Sequence, residues 1–271
     1  MIGPAERDTL HIASYNLRYA KTGVAPGNPD YWPEREPVLA RWLQIERPTI
    51  LGVQEALYSQ VGAVARALPP SYRWVGMGRE GGSRGEFCAI FYAAARLDLV
   101  GFDHLWLSDT PDAIGSRSWG NEVPRMVTEA HFRDRTTGIE FAVLNTHLDN
   151  HDDNSREQSA RAIVERIRTQ HSDVPVIVTG DFNAPAGDSP SFDILTEGAG
   201  LRDTWVAASR RVTAEYGTRP DYTRPVQGGP RIDWVLASDR VEVLTAAIDP
   251  FTSEGRAASD HLPVQALVRL R

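Results

Sequence analysis

Cysteine is nearly absent from this chain of 271 residues, which contains only Cys88. One cysteine excludes an intrachain disulfide framework and a zinc site built from several thiolates. Cys88 lies in an apolar run, so we expect it to be a small buried hydrophobic side chain. The lack of a disulfide framework fits a reducing compartment, and we predict a cytoplasmic location.

Long apolar runs are also missing. None approaches the roughly 18 to 20 residues that a transmembrane helix requires. Residues 1–8 carry neither the basic cluster nor the apolar stretch of a secretion signal. We therefore expect no membrane span and no conventional secretion, and no segment indicates a protein partner.

Positive charge is scarce, and Lys21 is the only lysine. The 29 Lys and Arg residues against 36 Asp and Glu residues give a formal net charge of −7. A negative net charge repels a polyphosphate over long distances. No run of basic residues is present to follow a nucleic-acid backbone. An anionic substrate therefore needs local features of a site to attract it.

The composition, with 41% hydrophobic residues, is that of a globular protein with a large core. No internal repeat, Gly/Ser linker or charge block divides the chain, so we predict one domain, residues 1–271. Eleven segments are typical of β-strands, which implies more than one sheet. They are Leu10–Tyr15, Ile50–Val53, Tyr72–Gly76, Phe87–Tyr92, Leu97–Leu107, Met126–Phe132, Ile139–Thr146, Val174–Thr179, Ile232–Ala237, Val241–Ile248 and Val264–Leu270.

Three segments have helical spacing of apolar residues: 38–43, which is followed by Pro48, 57–68, and 160–167. Ser155 and Gln158 have the form of a capping box at the start of the third. These helices are too few for a (β/α)₈ barrel, and residues 72–132 contain strands without helices. We therefore predict an α/β fold in which two mixed sheets form a sandwich flanked by helices.

Polar side chains follow strand after strand. Asn16, Glu55 and His147 each come at the end of a predicted strand. Later segments repeat the pattern and are Asp181-Phe182-Asn183, Asp233 and Asp260-His261. Each residue alone also fits a simple turn, but strand ends that project into one crevice are where open α/β sheets place their chemistry. Carboxylates, amides and imidazoles without thiolates suit Mg²⁺ or Mn²⁺.

Together these segments resemble the exonuclease-endonuclease-phosphatase superfamily, the DNase I-like Mg²⁺-dependent phosphoesterases, over nearly the whole chain. The motifs are Ser14-Tyr15-Asn16-Leu17, Gln54-Glu55, Thr146-His147-Leu148, Gly180-Asp181-Phe182-Asn183, Ile232-Asp233 and Ser259-Asp260-His261. Four further phrases are similar to a bacterial branch that is distantly similar to deadenylases: Gly85–Tyr92, Trp106-Leu107-Ser108, Pro124-Arg125-Met126 and His147-Leu148-Asp149. The resemblance implies a four-layered α/β sandwich, with two mixed β-sheets packed face to face and flanked by helices.

The resemblance also implies a metal centre. Glu55 would be the principal ligand of Mg²⁺ or Mn²⁺, helped by Asn16 and Asp260. Asp181 and Asn183 would orient the attacking water, with Asp181 as proton acceptor or as a ligand of a second metal. The wider set of metal-binding candidates is Asn16, Glu55, Asp181, Asn183, Asp260 and His261.

Two histidines would contact the phosphate. His261 would hold or protonate a phosphate oxygen or bind the metal, with Asp233 fixing its tautomer. His147 would act from the opposite side, and Glu86 is the candidate for its carboxylate partner or else a residue of the rim. The catalytic candidates are therefore His147, Asp181, Asn183, Asp233, His261 and Glu86.

Four other residues are candidates for substrate binding. The planar guanidinium of Arg125 suits a phosphate clamp, with Arg35 as a comparable candidate, and a surface role is the alternative for both. Trp32 and Trp119 lie in segments rich in Gly, Pro, Asn and Ser, where one of them would stack on a base or sugar. The alternative for each tryptophan is packing against a strand edge.

The leading hypothesis is a Mg²⁺/Mn²⁺-dependent hydrolase of phosphoric ester bonds, of nuclease or phosphatase type, acting by in-line attack of water. The substrate is expected to be a phosphorylated small molecule or a short nucleic acid, and the sequence leaves diester and monoester cleavage open. One alternative is a non-catalytic metal- or ligand-binding module of the same fold. Another is a metal-independent glycan hydrolase that uses paired carboxylates.

Overall fold

The computed structural model describes residues 1–6 and 8–271. This part of the chain contains 13 strands and five helices. The strands are β1 (Leu10–Asn16), β2 (Ile50–Gln54), β3 (Tyr72–Val75), β4 (Ile90–Ala93), β5 (Leu97–Trp106), β6 (Met126–Asp134), β7 (Glu140–His147), β8 (Val176–Asp181), β9 (Arg202–Asp203), β10 (Arg210–Arg211), β11 (Asp233–Ala237), β12 (Val241–Ile248) and β13 (Val264–Leu270). The helices are α1 (Trp32–Glu46), α2 (Tyr58–Ala67), α3 (Asp153–Gln170), α4 (Pro190–Ala199) and α5 (Thr204–Ala207).

The strands form two mixed sheets. The first has the order β10-β12-β13-β1-β2-β4-β3 and the second has the order β5-β6-β7-β8-β11-β9. Near the centre of the first sheet, β1 and β2 are parallel and β1 and β13 antiparallel. Near the centre of the second, β7 and β8 are parallel and β11 runs antiparallel to β8. The carboxyl ends of β1 and β2 therefore lie at one edge of the first sheet, and those of β7 and β8 lie at one edge of the second.

Three apolar clusters define the layers. The first joins both sheets and includes Ile12 and Val264 from one and Val143, Ile177 and Val235 from the other. The second fills the space between the first sheet and α1 and α2, and the third lies between the second sheet and α3 and α4. Because both faces of each sheet are covered at the centre, the residues of β1, β2, β8 and β11 are buried throughout. The predicted four-layered α/β sandwich is confirmed.

Strand register brings the polar strand ends together. In the first sheet Asn16 pairs with Gln54, which places Glu55 one residue beyond that pair. In the second sheet Asp181 is flanked by His147 on β7 and by Asp233 on β11. Strand pairing alone therefore places the Asp181 carboxylate between the His147 imidazole and the Asp233 carboxylate.

The sequence-based elements need three corrections. The prediction of three helices was incomplete, since α4 and α5 lie between β8 and β11. The strand predicted from Phe87 begins only at Ile90. The capping box at Ser155 was wrong, because Asp152 is the N-cap of α3 and its side chain accepts the N–H of Ser155. Among the described residues, no helix is both long and apolar enough to cross a membrane.

Candidate active site

Asn16 connects two carboxylates at the ends of strands from both sheets. Its amide Nδ2 donates to Glu55 Oε1 at 3.0 Å and to Asp181 Oδ2 at 2.8 Å. Its amide oxygen accepts the backbone N–H of Arg18 at 2.9 Å. Glu55 has a φ of 59°, a left-handed conformation that is uncommon for a residue with a side chain and that recurs at functional sites. The turn after β2 thus directs this carboxylate towards β8.

His261 faces Asp181 and is held from behind by Asp233. Its Nδ1 is 2.9 Å from Asp233 Oδ2, and its Nε2 is 3.8 Å from Asp181 Oδ2. Burial alone lowers the pKa of His261, but the charges of Asp233 and Asp181 outweigh it and raise that pKa to about 10. Burial and the charge of Asp233 also raise the pKa of Asp181 to about 6. Both effects follow from packing three ionisable groups into one buried strand edge.

These groups have the composition of a divalent-cation site. Glu55, Asp181 and His261 each offer one ligand atom, and the three atoms lie within 4.8 Å of one another. Two carboxylates compensate the charge of a divalent ion, and carboxylate oxygens are the ligands that such hard ions prefer. The donor set therefore fits the expected Mg²⁺ or Mn²⁺.

Two predicted metal ligands make other contacts. Asp260 is 2% exposed, and its Oδ1 accepts the Ser259 hydroxyl at 3.3 Å. Its Oδ2 is 3.7 Å from the Arg219 Nε. Asn16 presents its N–H groups to the two carboxylates, so its observed role is to hold Glu55 and Asp181 in place.

His147 and Asn183 form the opposite side of the site. Asn183 Nδ2 is 3.0 Å from His147 Nε2 and donates to the carbonyl of Leu148 at 3.1 Å. A donating amide requires Nε2 of His147 to accept, which leaves the proton on Nδ1. Burial, together with the positive charges of Arg125 and Arg79, holds the pKa of His147 well below its usual range. The site therefore pairs a neutral imidazole with the cationic His261.

Glu86 lies beside His147 but is bound mainly by an arginine. Its Oε2 is 4.0 Å from His147 Nδ1, whereas Arg79 Nη1 and Nη2 contact its two oxygens at 2.8 and 3.0 Å. Burial raises the pKa of Glu86 to about 7 in spite of Arg79. The observed arrangement is thus a chain from Arg79 through Glu86 to His147.

The site opens into a polar cleft of about 270 Å³. Four arginines line it, Arg18, Arg79, Arg125 and Arg219, together with Tyr19. They come from the end of β1, from the loop before β4, from the start of β6 and from the loop before β11. Five carboxylates line the same cleft, Glu55, Glu86, Glu122, Asp149 and Asp181, so the arginines supply individual cationic groups among acids.

Three predicted substrate-binding residues lie outside this cleft. Arg35 is 1% exposed and donates to five backbone carbonyls. Trp32 begins α1 and packs under the Arg35 guanidinium at 5.1 Å. Trp119 borders a separate, mainly apolar cavity of about 510 Å³, and its indole N–H donates to Asp109. Arg125 is the one substrate-binding candidate that the structure brings to the site.

Sequence reasoning missed several residues of the cleft. Arg18, Arg79 and Arg219 are isolated in sequence, and nothing in their local pattern marks them. Asn150 and His151 follow the His147-Leu148-Asp149 phrase directly and also line the cleft. Their place just after the end of β7 was the available signal.

The sequence profile of the Endonuclease/Exonuclease/phosphatase family matches residues 13–261. This chain belongs to that family. Its motif residues from Asn16 to His261 lie within the matched range, and the resemblance seen in the sequence is confirmed.

Solved structures of this family share the fold. An endonuclease/exonuclease/phosphatase from Bacteroides vulgatus is 28% identical with a TM-score of 0.89, over 97% of this chain and 99% of that chain. A mannosyl-6-phosphatase from Bacteroides thetaiotaomicron is 32% identical with a TM-score of 0.86, over 96% of this chain and 99% of that chain. Nocturnin of Drosophila melanogaster is 24% identical over 201 residues, which are 67% of this chain but only 30% of that protein.

Proposed function

We propose that this protein is a divalent-metal-dependent phosphoesterase that hydrolyses a P–O bond of a small phosphorylated substrate by in-line attack of water. The observation that carries the proposal is the group formed by Glu55, Asp181 and His261, whose ligand atoms lie within 4.8 Å of one another. Glu55 and Asp181 would hold Mg²⁺ or Mn²⁺, and His261 beside them would bind the phosphate of the substrate. When bound, such an ion polarises a phosphoryl oxygen and offsets the charge that develops on it.

The protein side chains have complementary tasks in this proposal. His261, fixed through Nδ1 by Asp233, presents Nε2–H towards the cleft and donates it to a phosphate oxygen. Asp181 accepts a proton from the attacking water, and Asn183, whose N–H contacts Asp181 Oδ1, limits where that water sits. His147 would act from the opposite side, and to bind the phosphate it would exchange its contact with Asn183 for an Nε2–H, with Glu86 supporting Nδ1.

The shape and charge of the cleft support a small substrate. A volume of about 270 Å³ suits a sugar phosphate better than a long polymer. Trp32 and Trp119 lie outside the cleft, so its lining lacks the tryptophan platform that we expected for base stacking. The mannosyl-6-phosphatase, at 32% identity over nearly the full length of both chains, further supports phosphorylated sugars as the substrate class.

A metal titration of purified variants tests the proposal. Glu55→Gln and Asp181→Asn preserve shape but remove charge, so we expect each to lower Mg²⁺- or Mn²⁺-dependent turnover by roughly 10³-fold or more. The control is Asp188→Asn, an exposed carboxylate seven residues beyond Asp181, which we expect to retain wild-type turnover. The substrates are sugar phosphates, nucleotides, short oligonucleotides and phosphodiesters.

Two outcomes would contradict the proposal. Full activity on a glycan after chelation would favour the metal-independent glycan hydrolase. Metal-dependent thermal stabilisation of the folded wild type without turnover of any phosphate ester would favour the non-catalytic binding module.

A further inference from the structure

One edge of the Arg125 guanidinium is buried without a partner. Arg125 lies immediately before β6, and its side chain is 4% exposed. Its Nε is 3.3 Å from Asp149 Oδ2, and its Nη2 donates to Asn150 Oδ1 at 2.8 Å. Nη1 is also buried and has no hydrogen-bond partner in the described part of the chain. An unsatisfied buried N–H of a charged group is costly, which indicates that a ligand completes it.

The guanidinium is rigidly placed. Asp149 is 3% exposed, and its second oxygen accepts the backbone N–H groups of His151 and Asp152, each at 2.9 Å. Asp152 in turn caps α3. Because these contacts fix Asp149, Arg125 is oriented by the start of a long helix and keeps its free edge in one direction.

The Arg125 side chain lies where the active-site cleft meets a narrow recess. Arg125 lines both the cleft and a recess of about 10 Å³ behind it. Phe87, Cys88, Pro124 and Met126 form the apolar part of this recess. A volume near 10 Å³ admits about one water-sized oxygen atom.

We propose that Arg125 Nη1 binds a terminal oxygen of the reacting phosphate and thereby makes the enzyme select phosphomonoesters over phosphodiesters. The inference rests on the proposed function and adds the class of ester. A monoester has three terminal oxygens, which would face the cation held by Glu55 and Asp181, the Nε2–H of His261, and Arg125. A diester has only two, so its second ester oxygen and the attached carbon would face Arg125 and the narrow recess beside it.

The experiment measures kcat/KM for p-nitrophenyl phosphate and bis(p-nitrophenyl) phosphate with Mg²⁺ and with Mn²⁺. We expect wild type to prefer the monoester. Arg125→Met should lower kcat/KM for the monoester by roughly 10²- to 10³-fold and for the diester by less than about 10-fold. Arg219→Met removes a cleft arginine that is 50% exposed, and it should lower both values by a similar factor.

Two further variants separate orientation from charge and protect against a folding defect. Arg125→Lys keeps the charge but loses the fixed fork, and Asp149→Asn keeps the shape but weakens the hold on Arg125. Like Arg125→Met, both variants should lower the ratio of kcat/KM for the monoester to kcat/KM for the diester. Their circular dichroism spectra should be unchanged. Equal loss for both esters in all three variants would overturn the inference, as would a wild-type preference for the diester.

A binding measurement distinguishes failure of the inference from failure of the proposed function. In calorimetry with Mg²⁺ present, inorganic phosphate should bind wild type more tightly than dimethyl phosphate, and Arg125→Met should remove most of that difference. If this difference in binding is found but the protein hydrolyses no phosphate ester, the Arg125 subsite stands and the proposed phosphoesterase activity is wrong. Phosphate binding that is unchanged in Arg125→Met would overturn the subsite even if the enzyme is active.

Discussion

Arg35 binds three backbone segments around the mouth of the site with one guanidinium. It donates to the carbonyls of residues 17, 18 and 19, of Asp30 and of Ala258 at distances from 2.8 to 3.3 Å. The segment 17–19 continues directly from Asn16 at the end of β1. Arg35 thus stabilises the backbone that follows a site residue.

We therefore predict that Arg35→Met is strongly destabilising. Loss of the guanidinium leaves several buried carbonyls unsatisfied, which should lower the free energy of unfolding by about 2 to 4 kcal/mol. Urea denaturation measures this, with Arg41→Met as control because Arg41 lies exposed on the same helix. Equal stability of the two variants would contradict the structural role of Arg35.

At the scale of elements, the contact between β2 and the second sheet depends on one glycine. A Cβ on Gly52 would lie 2.3 Å from Thr179 Oγ1 and 2.6 Å from Asn145 Oδ1. Asn145 is fixed there because its Nδ2 donates to the carbonyls of Val53 and Ala89. The sheets approach closely at this point only because position 52 has no side chain.

Gly52→Ala should consequently push β2 and β8 apart. We expect it to lower the free energy of unfolding by about 2 to 4 kcal/mol, since overpacking and a strained buried hydrogen-bond network act together. Gly101→Ala on β5 is the matched control, because a Cβ there meets nothing within 4 Å. Metal-dependent turnover should fall with Gly52→Ala as well, because Glu55 and Asp181 belong to the two sheets. Similar unfolding curves for Gly52→Ala and Gly101→Ala would contradict the claim that a side chain at position 52 forces the two sheets apart.

The elements that escaped sequence analysis share a physical reason. β9 and β10 have two residues each, too few for an alternating pattern. In α4 the apolar residues Phe192, Ile194, Leu195 and Ala199 pack against the core, but the helix has only ten residues, so its periodic pattern is short. The eleven predicted strands were recognisable because each has a run or an alternation of apolar residues, and the central ones are buried on both faces.

For the molecule as a whole, the strand-end residues of the site were predictable and most of its arginines were not. Asn16, Glu55, His147, Asp181, Asp233 and His261 meet because sheet topology brings strand ends to one edge. Arg79 and Arg219 reach the same cleft from loops whose paths no local pattern determines. An acidic chain with a net charge of −7 thus places four arginines at the site, where they can contact an anionic substrate.

A buried polar chain between the first sheet and α1 should govern how stability responds to acid. Asp249 is 0% exposed and accepts hydrogen bonds from Trp42 Nε1 at 2.9 Å and Gln265 Nε2 at 3.1 Å. His11 Nε2 contacts Gln265 Oε1 at 3.0 Å. Burial raises the pKa of Asp249 to about 6 and lowers that of His11 to about 4.

The pKa shifts of Asp249 and His11 change the free energy of unfolding in opposite directions as the pH falls. As pH falls through 6, the folded state protonates Asp249 before the unfolded state does, because the carboxyl has a pKa of 3.8 when unfolded. The free energy of unfolding therefore rises, by up to about 1.4 kcal/mol per pH unit. Between pH 6.5 and 4 the unfolded state instead takes up the proton on His11, and stability falls by a similar amount.

Removing the Asp249 charge should therefore expose the acid sensitivity due to His11. Asp249→Asn keeps an acceptor for Trp42 and Gln265 and removes the cost of a buried charge, so it should equal or exceed wild-type stability at pH 7.5. As the pH falls from 6 to 4, wild type should gain stability relative to the variant. Urea unfolding at intervals of half a pH unit measures the difference, with the exposed Asp239→Asn as control. Curves for wild type and Asp249→Asn that stay parallel across this range would show that Asp249 does not titrate with a raised pKa in the folded protein.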